Sequence, residues 1–165
     1  MKLLTSFSST PGPGVWLAML LMFSSIPAWA GLGDTAASVL SDQARMKGTI
    51  RSVDNRTYVL HEITMPSGAK VREFVSPAGA VFGVAWEGQF PPDFQQLLGP
   101  YYQQAQQAAA AARPANDQQT RRRRGPVVIS TPGLVFAQSG HMRSFRGQAY
   151  IPQLVPQGVQ ASDIR

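Results

Sequence analysis

Apolar and polar positions alternate in short bursts from Thr57 to Trp86, and the bursts are separated by two Pro-x-Gly triplets, Pro66-Ser67-Gly68 and Pro77-Ala78-Gly79. Proline presets φ and glycine accepts a positive φ, so each triplet reads as a turn. The pattern predicts a three-stranded meander over Thr57–Met65, Ala69–Ser76 and Ala80–Trp86. In the third strand Phe82, Val84 and Trp86 alternate onto one face, which should meet the core. Val81, Gly83 and Ala85 make the opposite face small enough for another element to approach closely. Helical spacing takes over elsewhere. Ala36, Ala37, Val39 and Leu40 predict an amphipathic helix over 34–46, capped by Asp34 and ended by Gly48. Pro91-Pro92-Asp93 opens a second helix, in which Phe94, Leu97, Leu98, Tyr101 and Tyr102 form one stripe. Gly99-Pro100 should kink or split it, because Pro100 has no N–H to donate.

The stripe fades into a Gln/Ala-rich run over 103–112 that extends the helix. Residues 113–125 contain nothing large and apolar, and carry Arg121-Arg122-Arg123-Arg124; disorder is expected there. Strand patterning returns as a hairpin, Val127–Ser130 and Leu134–Gln138 around Pro132-Gly133. Ser139-Gly140 then turns the chain into a strand over His141–Tyr150, before an irregular tail marked by Pro152, Pro156 and Gly158. The segments Val75–Phe82 and Ile129–Phe136 resemble each other, through shared hairpin chemistry more readily than through duplication. The expected architecture is a single α+β domain over 31–165. An antiparallel sheet of about five strands packs one or two helices, with a flexible Gln/Ala/Arg-rich insert at about 103–125.

The first thirty residues have a different pattern. Lys2 precedes a mostly apolar run from Val15 to Ile26; Pro27 breaks it, and Ala28-Trp29-Ala30 follows. This is the order of a secretory signal with cleavage after Ala30. The run falls short of the ~20 residues a spanning helix needs, so no transmembrane anchor is expected. The product should be exported, to the periplasm or the extracellular space.

Composition then removes chemistry. The chain has no Cys, which excludes a disulfide scaffold, a thiol nucleophile and Cys-ligated zinc, and only two His, which excludes a His-rich metal centre. No Gly-x-Ser-x-Gly elbow and no Gly-rich phosphate loop with a following Lys is present. No cofactor and no metal are expected. The net charge of +6 sits largely in the four-arginine run, so the folded body is nearly neutral.

Three groups of residues remain as candidates. His61 and Glu73 could meet across neighbouring strands as a His–carboxylate pair suited to general-base work, or form a polar pair on the wet face of a sheet. Neighbours Arg72 and Glu73 point to opposite faces. On the strand starting at His141, alternation groups His141, Arg143 and Phe145 on one face and Met142, Ser144 and Arg146 on the other, a cationic surface able to hold an anion. Arg121–Arg124 could neutralise phosphates, of an anionic envelope glycolipid rather than nucleic acid in an exported protein, or form a solvated linker. Trp86 and Tyr101-Tyr102 could make a ligand platform but fall on the face assigned to the core.

Val71–Pro77, Gly79, Val81-Phe82, Val84-Ala85-Trp86, Gly88, Leu97-Leu98-Gly99 and Tyr102 form one block. Gly140-His141-Met142-Arg143, Phe145, Gly147, Ala149-Tyr150 and Pro152 form another. Together they resemble the bacterial family known as domain of unknown function 2844. That resemblance implies a small exported Gram-negative protein with no assigned activity, so no site residue transfers. The expectation is an uncharacterised, non-catalytic accessory protein with an unidentified protein or envelope partner. One alternative is an anion-binding module using Arg121, Arg122, Arg123, Arg124, Arg143 and Arg146. The other is an enzyme built on His61, Glu73 or His141.

Overall fold

The computed structural model describes residues 31–111 and 126–165. Seven antiparallel strands form one sheet: β1 (Thr49–Asp54), β2 (Val59–Thr64), β3 (Lys70–Val75), β4 (Val81–Gly88), β5 (Val127–Ser130), β6 (Val135–His141) and β7 (Ser144–Tyr150). Their order is β1-β2-β3-β4-β7-β6-β5, so two meanders join along β4 and β7. The helices are α1 (Ser38–Met46), α2 (Phe94–Leu98) and α3 (Tyr102–Ala111), with a 3-10 turn over Gly99–Tyr101 between the last two.

The meander read from the Pro-x-Gly turns is present, and β1 adds a strand before it. Thr49–Asp54 is exposed at nearly every position, as an edge strand with one solvated side can be, so it carries no apolar alternation to betray it. Gly48 serves both neighbours. Lys47 closes α1 in the left-handed region at φ 51°, and Gly48 N–H reaches Gln43 O. A Cβ on Gly48 would fall 2.6 Å from Ile63 Cγ2.

α1 starts later than Asp34. Asp34 O accepts from Val81 N–H and Ala36 N–H donates to Gly79 O, tying this stretch to the start of β4 before the helix can begin. Asp34 Oδ1 accepts from its neighbour Thr35 N–H instead of capping. Asp93, by contrast, caps α2: its Oδ1 accepts from Gln95 N–H at 2.9 Å and Gln96 N–H at 3.3 Å. Removing those bonds by Asp93→Ala should cost about 1 kcal/mol in denaturant unfolding. Gly99, at φ 50° and ψ −124°, splits the helix where the Gly-Pro pair predicted. Residues 102–111 are helical, with Ala105 buried, so the insert does not begin at 103.

Each sheet face has its own core. On one, Ile63, Val71, Val84, Trp86, Phe136 and Ala149 meet Leu32, Val39, Leu97 and Leu98. On the other, Phe74, Phe82 and Ala85 are sealed by Ile164, with Tyr58, Leu60 and Tyr150 around them. Strand alternation makes this division, and a bulge decides where Phe82 falls. Phe74 pairs with Gly83 and Val75 with Val81, which leaves Phe82 as the extra residue and turns it away from Val84 and Trp86. The small face of β4 is approached closely as expected: a Cβ on Gly83 would lie 3.2 Å from Ile164 Cδ1. The related hairpin β5–β6 pairs Ile129 with Phe136 directly and lacks that bulge. The two hairpins therefore share turn chemistry without sharing register.

Among the described residues, no helix is long and apolar enough to cross a membrane.

Candidate functional site

Polar side chains gather in two places, one buried on the helix-covered face and one open on the other. The buried place begins with a break in two apolar patterns. Val39 and Asp42 are one turn apart on the inner side of α1, and Glu73 stands between Val71 and Val75 on the inner side of β3. Asp42 and Glu73 are 0% and 1% exposed. Gln96 on α2 donates from Nε2 to Asp42 Oδ1 at 2.7 Å. Among the described residues, none donates an N–H or O–H to Asp42 Oδ2 or to either Glu73 oxygen. The two buried carboxyl groups are near enough to shift each other's protonation, so a proton kept on one would supply the missing donor. Burial and the neighbouring Asp42 charge push Glu73 up to about 9. Burial also raises Asp42, against the pull of Gln96, of the Glu73 hydroxyl and of Arg45.

His61 is the register partner of Glu73, as the alternation allowed, but Glu73 is buried while His61 stays partly exposed. Its Nδ1 lies 2.7 Å from Ser52 Oγ on β1, and burial lowers its pKa. Glu73 has Asp42 as its partner instead. His141 sits at the end of β6, four strands from His61 and three from Glu73. The structure therefore does not bring His61, Glu73 and His141 together, and none of them lines the open groove.

That groove, of about 530 Å³, lies on the face sealed in part by Ile164 and is lined by Arg72, Glu87, Ser139, Arg146, Gln148 and Arg165, among others. Its electrostatics follow from register. Glu62, Arg72 and Glu87 stand on β2, β3 and β4 on one face. Arg72 Nε donates to Glu62 Oε2 at 2.9 Å and Nη2 to Glu87 Oε1 at 3.0 Å, while Lys70 Nζ is 3.6 Å from Glu62 Oε1. Arg72's hydrogen bond holds Glu62 below the usual carboxylate range. Arg146 on β7 is the register partner of Glu87. It makes no ion pair among the described residues, and neither does Arg165.

Arg143 is elsewhere. β6 runs through Ser139-Gly140 to His141, and the chain reverses at Met142-Arg143, with His141 paired to Ser144. Arg143 takes φ 65° at the tip of this turn. The expected grouping of His141, Arg143 and Phe145 on one strand face is therefore broken. Cross-strand partners share a face, so His141, Ser144 and Arg146 lie together and Phe145 lies opposite. Arg143 and Arg146 do share another hollow, of about 380 Å³, with Ser67 and Glu87. Trp86 is buried between Phe94 and Phe136, at 5.2 and 5.5 Å, and Tyr101 and Tyr102 pack beside the same core. The leader expected over 1–30 and the Arg121–Arg124 run lie outside the described residues.

Pattern reading missed Asp42, Arg72 and Arg165. Asp42 and Glu73 were visible as acids in apolar stripes. Arg72 and Arg165 carry no such signal, since only the register and the tail bring them to the groove.

No curated protein and no solved structure matches the chain. The chain belongs to the family described as protein of unknown function (DUF2844), whose model matches residues 28–164.

Proposed function

We propose that the protein is an exported, non-catalytic binding protein that takes an anionic group, of a phosphate or similar class, into the groove on its open sheet face. One observation carries this reading: Arg146 and Arg165 line the groove without an ion-pair partner among the described residues, while Glu62 and Glu87 are engaged by Arg72. Two guanidiniums and the nearby Gln148 and Ser139 offer several donors to one ligand. The Arg121–Arg124 run would add long-range attraction to an anionic surface. Export is supported by the apolar run and the Ala28-Trp29-Ala30 triplet. Cleavage after Ala30 would leave Gly31 and the fully buried Leu32 in place.

Inorganic phosphate titrated into the isotope-labelled chain should shift amides of β6 and β7 around Ser139, Arg146 and Gln148. Vesicles containing phosphatidylglycerol should retain the chain on sedimentation. Arg146→Ala should weaken phosphate binding about tenfold, the loss of one charge-assisted hydrogen bond. Unchanged binding by Arg146→Ala would remove the groove from the mechanism. Vesicle binding lost only when Arg121–Arg124 are replaced by Ala would assign it to that run. A mature N-terminus at Gly31 in the extracytoplasmic fraction would test export.

A further inference from the structure

Three elements meet at the buried acids: Asp42 from α1, Glu73 from β3 and Gln96 from α2. α1 buries only Ser38, Val39 and Asp42, so this carboxyl contact is one of its few attachments to the sheet. We propose that the α1–sheet junction is a proton-held latch, in which one proton shared by Asp42 and Glu73 keeps α1 docked and its loss in alkaline medium releases the helix.

The surroundings offer little to stabilise a doubly ionised pair. α1 itself contributes Arg45, which draws Asp42 down, and the preceding loop contributes Asp34, which opposes it. From β2 the only titratable group facing Glu73 is His61, already engaged with Ser52. β4 places Val84 beside Glu73, and α2 supplies the uncharged Gln96 amide. With both carboxylates charged, Asp42 Oδ2 and the two Glu73 oxygens would be buried acceptors without a donor. Like charges in low dielectric would then drive the two elements apart.

The direction follows from linkage. A carboxyl whose pKa is higher when docked favours docking fully below its ordinary range and loses that contribution as pH rises to its docked value. The docked-to-released ratio should therefore fall about tenfold per pH unit between the ordinary range and about 9.

The chain has no Cys, so a single introduced thiol takes a single label. A nitroxide on Leu40→Cys, exposed on α1, reports docking; one on Val128→Cys, exposed on β5, reports the sheet. In the full chain the mobile-to-immobile ratio at position 40 should rise about tenfold per unit between pH 6 and 9 and level off by pH 10, while position 128 stays constant. Glu73→Gln, which offers Asp42 a permanent donor, should hold position 40 immobile throughout. Asp42→Asn should do the same and serves if the first variant does not fold. The latch is refuted if position 40 does not respond to pH, if it responds equally in both variants, or if both labels mobilise together.

Discussion

Thermal unfolding of the wild-type chain should move to lower temperature as pH rises from 7 to 9, and Glu73→Gln should abolish most of that slope. Glu73 is displaced from 4.5 in the unfolded chain to about 9 in the folded one, so across that interval the folded state holds one proton more. Stability is greatest below the ordinary carboxylate range and declines as pH climbs, by about 1.4 kcal/mol per unit for each extra proton. For a domain of this size that is roughly 4 °C per unit. Two other groups act outside the window. His61 has a lowered pKa, so its contribution is lost as pH falls through the neutral-to-acid range. Glu62, held down by Arg72, loses its contribution at still lower pH. Calorimetry between pH 7 and 9 therefore isolates the acid pair. At pH 8, Glu73→Gln should be more stable than wild type by a few kcal/mol, since an isosteric amide replaces a carboxyl that burial disfavours when charged. A wild-type midpoint that is flat or rises over this window would contradict the buried shared proton.

Gly147→Ala should unfold at distinctly lower denaturant concentration, by about 3 kcal/mol. A Cβ at Gly147 would lie 2.4 Å from Trp86 Cζ2 and 2.6 Å from the Ala137 carbonyl oxygen. The carbonyl belongs to the β6–β7 ladder and cannot retreat without breaking it. The indole cannot retreat either, because Phe94 and Phe136 hold it in edge and tilted contacts. A good part of the cost should depend on that ring. Trp86→Phe alone should destabilise by removing buried area, and in the Gly147→Ala background it should cost much less. The two changes should thus couple by at least about 1 kcal/mol in a double-mutant cycle. Strict additivity would mean that the clash lies with the Ala137 backbone instead.

Much of the fold was legible because its signals are local. The two Pro-x-Gly turns placed β2, β3 and β4, and the stripe from Phe94 to Tyr102 placed α2 and α3 and the break at Gly99-Pro100. The α+β class holds, while the strand count rises from about five to seven among the described residues. The failures are equally physical. β1 is a solvated edge whose side chains need no periodicity, and Asp34 was diverted from capping by backbone bonds to a strand 45 or so residues away. The bulge at Phe82 shifts one side chain across the sheet without changing the residue pattern around it. The β6–β7 turn took Met142-Arg143 although Ser139-Gly140 was the better local candidate. Gly140 has no room for a side chain, since a Cβ would lie 2.7 Å from Ser144 O, so it was kept for strand packing instead of turning. At the sites, the register of His61 and Glu73 was readable, but their environment was not. Alternation tells which residues share a face and says nothing of which face a helix covers.

The seam between β4 and β7 sets the order in which this protein can assemble. Strands β1 to β4 follow one another through short turns, and so do β5 to β7, so each meander closes small loops cheaply. The central pairing, Gly83 with Tyr150 through Gly88 with Phe145, joins residues about sixty positions apart. Contacts of that separation pay their entropy before they return anything, so their formation should be the slow step of folding. A chain cut between α3 and β5 would therefore yield two pieces, each with its own hairpins, that recover the sheet only by finding one another along this line.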